Sequence, residues 1–247
     1  MKKLLIILLC LPLGACYDTF DRLDQFNTDL LPKVRFEPSA SVRANGVDTV
    51  TLKLLFPLAS DRDKIKAMFT TKVSSFVENG EMKYTASRVT VEDIDGLHYV
   101  LTARMVSTTS PGEFELLFEA TEINWWASSN LTFRRAHPAS ISTSASKFSV
   151  AIGFTDEIQL SANLKSGSGI ASKGTEVEYI VADSLSSASS NRFRALTKSN
   201  ASGVSSVFFT PGTFGGYTGP VSYEVVTIDE DGAELRTSGT FQVIDPS

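Results

Sequence analysis

From Val34 onward, apolar residues recur at every second position in short runs. Val50, Leu52, Leu54 and Phe56 alternate with Thr51, Lys53 and Leu55. Tyr99, Leu101, Ala103 and Met105 alternate with Val100, Thr102 and Arg104, and Phe114, Leu116, Phe118 and Ala120 with Glu115, Leu117 and Glu119. Ile158, Leu160, Ala162 and Leu164 follow the same rule, as do Val177, Tyr179 and Val181, then Tyr223, Val225 and Thr227, and last Phe241 and Val243. Successive strand residues point to opposite faces, so this period predicts strands with one face inward and one toward water. Gly, Ser, Asn and Asp between the runs supply turns. No stretch has a convincing helical period; Asp61 to Phe69 has room for a short helix.

The strand pattern repeats. Ala44-Asn45-Gly46-Val47-Asp48-Thr49-Val50-Thr51-Leu52 aligns with Ala151-Ile152-Gly153-Phe154-Thr155-Asp156-Glu157-Ile158-Gln159-Leu160, with one extra residue. Gly96 aligns with Gly203, and Phe114 to Ala120 with Val221 to Thr227, at an offset of roughly 107 residues throughout. A polar break at Arg134-Arg135-Ala136-His137-Pro138 separates the copies, and the residue before a proline is biased to extended backbone. The reading is an all-β chain of two tandem sandwiches, residues 34–135 and 138–247, since about seven short strands per ~100 residues is a sandwich spacing.

Each half resembles the bacterial immunoglobulin-like modules of invasin- and intimin-type surface proteins. The resemblance is carried by the small-residue turns leading into Asp48 to Leu54 and Asp156 to Leu164, by Ser172 to Val181, and by Leu196 to Phe209. It covers most of residues 34–247 and is better in the second half. It implies two immunoglobulin-like β-sandwiches. That family has no common catalytic residues to carry over, and a fold does not by itself specify a function.

The N-terminus reads as an address. Lys2 and Lys3 precede an apolar run from Leu4 to Leu11, then Pro12. The run is shorter than the ~20 residues of a membrane span and fits a secretory signal, residues 1–15. Leu13-Gly14-Ala15-Cys16 resembles the bacterial lipobox. The resemblance implies lipidation of Cys16, a bacterial lipoprotein, and a membrane partner reached through acyl chains. Two chains suffice for stable anchoring, at ~0.8 kcal/mol per buried methylene. Tyr17, where an Asp would favour inner-membrane retention, points by the same resemblance to the outer membrane, with the face of that membrane left open. Residues 16–33 are a polar tether containing Asp18, Asp21 and Asp24.

Composition narrows the chemistry. The chain has 247 residues, a net charge of −5 and a pI of 5.2. Nucleic acid is not expected, because a phosphate-binding face needs clustered Lys and Arg. The two His (His98, His137) and two Cys (Cys10, Cys16) make a Cys/His zinc site and a disulfide scaffold poor fits. Neither His lies near a nucleophile elbow. Glu92-Asp93-Ile94-Asp95-Gly96 and Asp229-Glu230-Asp231-Gly232 read first as hairpin turns and second as calcium loops. Gly167-Ser168-Gly169 reads as a flexible turn, Ser184 to Ser190 as a mobile loop, and Arg192, Arg194 and Lys198 as a solvated strand face.

Trp125 and Trp126 align near the second half's hairpin turn. As adjacent strand residues, one should face the core and one half-exposed solvent; exposed, both would stack on sugar rings or dock a partner. Phe214 and Tyr217, in the Gly-rich stretch Gly212 to Gly219, are further contact candidates, although a turn packing Phe214 inward is simpler. No catalytic residue, metal or cofactor is expected. The functional expectation is a non-catalytic, lipid-anchored envelope interaction or adhesion module. The alternatives are a surface carbohydrate-binding lipoprotein, with those aromatics on one platform, or an accessory subunit of an envelope or secretion assembly.

Overall fold

The computed structural model describes residues 33–37, 42–57, 67–71, 75–78, 81–83, 85–89, 91–94, 98–120, 125–183 and 192–246. The signal segment, Cys16 and the tether up to residue 32 lie outside them, as does Ser184 to Ser190.

The first sandwich has strands β1 (Lys33–Glu37), β2 (Val42–Ala44), β3 (Thr49–Pro57), β4 (Ala67–Thr70), β5 (Ser75–Glu78), β6 (Glu81–Lys83), β7 (Thr85–Val89), β8 (Val91–Ile94), β9 (His98–Val106), β10 (Gly112–Ala120) and β11 (Trp125–Arg135). One sheet runs β1-β3-β9-β5-β6 with β8 also on β9; the other runs β2-β11-β10-β4-β7. The period-two rows meet between them. Val50, Leu52, Leu54, Leu101 and Met105 from one sheet pack with Leu116, Phe118 and Phe133 from the other, all buried. Each such side chain contributes about 1.5–3 kcal/mol by leaving water.

The stretch expected to hold a short helix differs from that expectation where it is described. Ala67–Thr70 is a strand, with Phe69 opposite Phe118. The two rings meet edge to face at 5.2 Å. Burial of Phe69 between two neighbouring strands outweighs the weak local helical preference, as tertiary context commonly does.

The second sandwich has β12 (Ser140–Ala145), β13 (Ser149–Ala151), β14 (Ile158–Lys165), β15 (Glu176–Asp183), β16 (Arg192–Lys198), β17 (Val204–Phe209), β18 (Gly219–Ile228) and β19 (Glu234–Ile244). Its sheets run β12-β14-β17 and β13-β19-β18-β15-β16. Phe209 sits at the centre of the core, with Phe193, Phe214 and Phe241 at ring distances of 5.5, 5.1 and 5.7 Å. Tyr179 is fully buried, and its hydroxyl donates to the Ser205 carbonyl at 2.8 Å. Burial pushes this hydroxyl above the usual tyrosine range, with the hydrogen bond opposing.

The halves share one device. The opening segment starts beside one sheet (β1 on β3, β12 on β14) and crosses to run parallel to the last strand of the other (β2 on β11, β13 on β19). No described strand pairs across the two sandwiches. Among the described residues, no helix is long and apolar enough to cross a membrane.

Candidate functional site

The second sandwich seats end-on against the first through a buried polar joint. Its foundation is the turn after β2, where Gly46 takes a left-handed φ of 78° that glycine adopts without steric cost. Asn45 is 1% exposed. Its Oδ1 accepts from the amides of Val47 (3.0 Å) and Asp48 (2.8 Å) and from Ser107 Oγ (3.0 Å). Its Nδ2 reaches across to donate to Ser168 Oγ at 2.8 Å, and that hydroxyl donates to Asp48 Oδ1 at 2.9 Å. The Ile170 amide donates to the Asn45 carbonyl at 3.2 Å, and the Lys173 amide to the Thr109 carbonyl at 2.8 Å.

Ser172 closes the joint. Fully buried, it donates through Oγ to the Ala44 carbonyl (2.7 Å) and accepts from the Ala136 amide (2.8 Å). The Ser172 amide donates to the Ala136 carbonyl at 2.9 Å. A satisfied buried network of this kind rigidifies, because every displaced partner leaves a polar group unpaired. The Arg43–Glu230 ion pair at 3.0 Å spans the same seam but is half exposed and adds at most ~1 kcal/mol.

Two sequence expectations change here. Gly167-Ser168-Gly169 is not a loose turn; its Ser168 and Gly169 are held against the first sandwich. A Cβ on Gly169 would lie 2.5 Å from the Asn45 carbonyl oxygen. Ala136, expected in a polar break, is fully buried between the sandwiches. Both stretches were legible as turn and linker; what holds them is not local, since Ser168 meets Asn45 123 positions away and Ala136 meets Ser172 36 positions away.

The predicted contact aromatics are not brought together. Trp126 is 74% exposed and stands opposite Glu119 near the start of β11, at the end of the first sandwich away from the joint. Trp125 opens β11; its side chain lies outside the described residues. Phe214 is 6% exposed. The 3-10 turn Pro211–Phe214, closed by Gly215 at φ 62°, turns its ring onto Phe209, so it presents no contact surface. Tyr217 is half-buried, its hydroxyl donating to the Pro220 carbonyl at 2.9 Å. A shared platform does not form, because Trp126 and Tyr217 belong to opposite ends of different sandwiches.

The Asp229–Gly232 segment is a hairpin turn between β18 and β19. Asp229 Oδ1 accepts from the amides of Asp231 (2.9 Å) and Ala233 (2.8 Å), and Glu230 faces Arg43. Of the other acidic stretch, Glu92 to Ile94 belong to β8; Asp95 and Gly96 lie outside the described residues. Among the described residues, no group of three or more His, Cys, Asp or Glu side chains is arranged to hold a metal ion. His98 opens β9 opposite Pro57, and His137 follows Ala136 between the sandwiches. Arg194 faces Glu178 at 3.6 Å and Lys198 faces Glu176 at 3.9 Å, all on a solvated strand face.

Further exposed apolar side chains of the second sandwich escaped sequence reading: Phe148 is 93% exposed, Phe154 75%, Phe208 57% and Ile244 46%, on different strands and faces. Phe154 occupies the repeat position of Val47. Its turn is tied by Asp156, which accepts from the amides of Ala151 and Glu157, both at 3.0 Å, and pairs with Lys147. The Lys147 hydrogen bond, then the Ala151 amide, hold this carboxyl below the usual aspartate range. The available signal was Phe at outward strand and loop positions, such as Phe208 beside the inward Phe209.

Fold and joint together define a tandem immunoglobulin-like β-sandwich module. Among solved structures, the chain is similar to "invasin: a bacterial integrin-binding protein", at 16% identity and a TM-score of 0.51, covering 87% of this chain and 40% of that one. It is similar to the adhesin InvE of Yersinia pseudotuberculosis at 19% identity and TM-score 0.46, covering 87% and 59%. It is also similar to FdeC, an Escherichia coli adhesin, at 15% identity and TM-score 0.44, covering 87% and 64%. The chain thus spans less than two thirds of each of these structures. At such identities the likeness is one of fold. No protein-family model matches the chain, and no curated relative matches it.

Proposed function

We propose that this chain is a lipid-anchored interaction or adhesion module of the bacterial envelope, without catalytic activity. Acyl chains on Cys16 fix its base, residues 17–33 give reach, and the two sandwiches present a surface to a partner. The observation that carries this reading is the joint. A satisfied network, buried at Asn45 and Ser172 and completed at the surface by Ser168, holds one sandwich end-on to the other, which suits a display element rather than a pair of independent domains. The lipobox-like Leu13-Gly14-Ala15-Cys16 and the fold shared with invasin support it. Outer-membrane location belongs to the same proposal.

The test is protease shaving of intact cells carrying the wild-type chain or Cys16→Ala. The reading expects cleavage of the wild-type sandwiches from intact cells and loss of membrane attachment in the variant. Protection until the outer membrane is opened would sink outward display. A Cys16→Ala protein that stays membrane-bound would sink the anchor.

A further inference from the structure

We infer that Asn45-Gly46 is a latent modification site that the joint keeps shut: when the joint opens, Asn45 loses its side-chain amide, and the product cannot rebuild the joint. Asparagine is among the thermolabile side chains. Glycine after it favours the reaction, because no Cβ hinders the approach of the glycine nitrogen. The Gly46 backbone nitrogen, having given up its proton, attacks Asn45 Cγ. The new N–C bond closes a five-membered imide, the Cγ–Nδ2 bond breaks, and Nδ2 takes a proton and leaves as ammonia. Water then opens the imide to a carboxylate. The product is aspartate or its iso form, in which the main chain runs through Cγ.

In the closed joint each reacting group is engaged elsewhere. The Gly46 N–H donates to Ser107 Oγ at 3.2 Å, so the attacking nitrogen keeps its proton. Oδ1 accepts from the Val47 and Asp48 amides and from Ser107 Oγ, which pins the carboxamide plane in the turn. These ties lie within the first sandwich. The second sandwich supplies the rest. Nδ2, the leaving group, donates to Ser168 Oγ at 2.8 Å, and the Ile170 amide holds the Asn45 carbonyl at 3.2 Å. Gly169 packs so closely that a Cβ on it would fall 3.3 Å from Asn45 Cβ. Asn45 is 1% exposed, so water does not reach the departing nitrogen. Opening the joint frees Nδ2 and admits water while Gly46 stays beside it. Local opening takes less free energy than global unfolding, which gives the chemistry a route that leaves both sandwiches folded.

The product does not fit the place it came from. Aspartate has no Nδ2 donor, and Ser168 Oγ already gives its one proton to Asp48 Oδ1. A carboxylate at position 45 therefore finds no donor on Ser168. It also converges with the Asp48 carboxylate on the same serine oxygen, and like charges so placed repel. An uncompensated charge in a buried seam is strongly unfavourable. The iso form further lengthens the main chain by one carbon within the turn. The joint thus closes only on the unmodified chain. Opening is reversible until the amide is lost and one-way afterwards, and the arm made by the two sandwiches passes from fixed to hinged.

The test ages the full chain with Cys16→Ser in mildly alkaline buffer, well below its melting temperature. Asn45 is followed by peptide mass mapping and isoaspartate by enzymatic methyl labelling. Mapping separates this site from Asn79-Gly80, the other Asn-Gly pair of the chain, which lies outside the described residues. A synthetic peptide of the sequence Val42 to Thr49 is the open reference. The expected result is amide loss at least ~10-fold slower in the folded chain than in the peptide, as for a group that reacts only on local opening. Gly169→Ala and Ser168→Ala should each speed the loss severalfold, and Gly167→Ala should not. A circular-dichroism melt checks folding, and Ser168→Ala, at an exposed position, adds no atom to the seam. Asn45→Asp should scatter as a hinged pair and lose exchange protection at the Ile170 amide. Wild-type loss as fast as in the peptide overturns the inference. Faster loss overturns it in favour of the three donors on Oδ1 acting as an oxyanion site. Loss equally slow in the wild type, Gly169→Ala and Ser168→Ala places the protection in the first sandwich's own turn and overturns gating by the joint. An Asn45→Asp chain with its joint intact overturns the one-way step.

Discussion

Replacing Gly169 by Ala should uncouple the two sandwiches, while the same change at Gly167 should not. A Cβ on Gly169 would stand 2.5 Å from the Asn45 carbonyl oxygen, 2.7 Å from Val47 Cγ2 and 3.3 Å from Asn45 Cβ. Ordinary contact begins near 3.4 Å, and the first of these atoms is backbone that Asn45 itself pins in its turn. The added methyl therefore lifts the Ser166 to Gly174 stretch away. Overpacking of this kind costs about 1–3 kcal/mol. Lifting also breaks the bonds of Asn45 Nδ2 to Ser168, Ser168 to Asp48 and Ile170 to Asn45, each worth ~0.5–1.5 kcal/mol net. The turn yields by whichever route is cheaper, so the coupling lost is about 2–3 kcal/mol. For a domain of about a hundred residues, that lowers the affected transition by roughly 10 °C. Gly167 has nothing within 4 Å of its Cβ position, which makes it the matched control. The assay is a calorimetric melt with small-angle scattering on the two variants. Gly169→Ala should show a broadened or split transition and a wider spread of interdomain arrangements. If it melts and scatters as Gly167→Ala does, the close approach is not what holds the joint.

Other outcomes follow from the same geometry. Ser172→Ala leaves the Ala44 carbonyl and the Ala136 amide unpaired in a buried seam, at a cost of ~1–3 kcal/mol; hydrogen exchange at the Ala136 amide should accelerate, and unchanged protection would count against the network. Phe69→Ala removes a ring packed on Phe118 and should cost the first sandwich about 3–5 kcal/mol in denaturant unfolding, with the second sandwich's transition unmoved. Tyr179 has a raised folded pKa, so its contribution is complete below the ordinary tyrosine range near pH ~10 and is lost as pH rises through the higher folded value. An ultraviolet titration should show one tyrosine ionising late, together with unfolding, and Tyr179→Phe should abolish that phase. Asp156 has the opposite sign: its folded pKa is lowered, so its tie on its own turn is present above the ordinary aspartate range and lost as pH falls through the lower folded value. Protection of the Ala151 amide, taken against its intrinsic exchange rate at each pH, should fall on acidification in the wild type and be low at every pH in Asp156→Ala.

What was legible in the chain is what depends on neighbours in sequence. Ile158, Leu160, Ala162 and Leu164 are each at most 1% exposed, as their alternation implies, because strand geometry alone sends every second side chain to one face. The offset between the halves was legible for the same reason, being a repeat of local patterns. The joint was not. Asn45 and Ser168 are 123 positions apart, and Ser172 and Ala44 are 128 apart. Locally, Asn45-Gly46 and Gly167-Ser168-Gly169 have the composition of exposed turns, and nothing in either stretch announces that the two lock together. The aromatic candidates divide similarly. Tyr217 and Trp126 stand in turn-flanking positions as their sequences imply. Phe214 turns inward onto the Phe209 ring, a contact that no local pattern records.

The repeat makes one backbone turn serve two ends with opposite chemistry. At the joint, the position after the β2 strand is Asn45, whose side chain ties its own turn and reaches the next sandwich. In the second copy that position is Ile152, and the tying of the turn passes to Asp156, four residues on. The residue after the glycine changes from Val47 to Phe154. These differences separate two tasks. Asn45 ties its own turn and also reaches across to Ser168, and a polar network of that kind tolerates one geometry, since any other arrangement strands a donor or acceptor. It therefore fixes one sandwich on the other. The ties of Asp156 stay within its own turn and with Lys147, so that turn holds its shape without a neighbour. Giving it the first copy's residues, by Phe154→Val with Ile152→Asn, should therefore leave its fold intact, and exchange protection at the Ala151 amide should persist. If that protection is lost, the turn depends on Ile152 or Phe154 and not on Asp156.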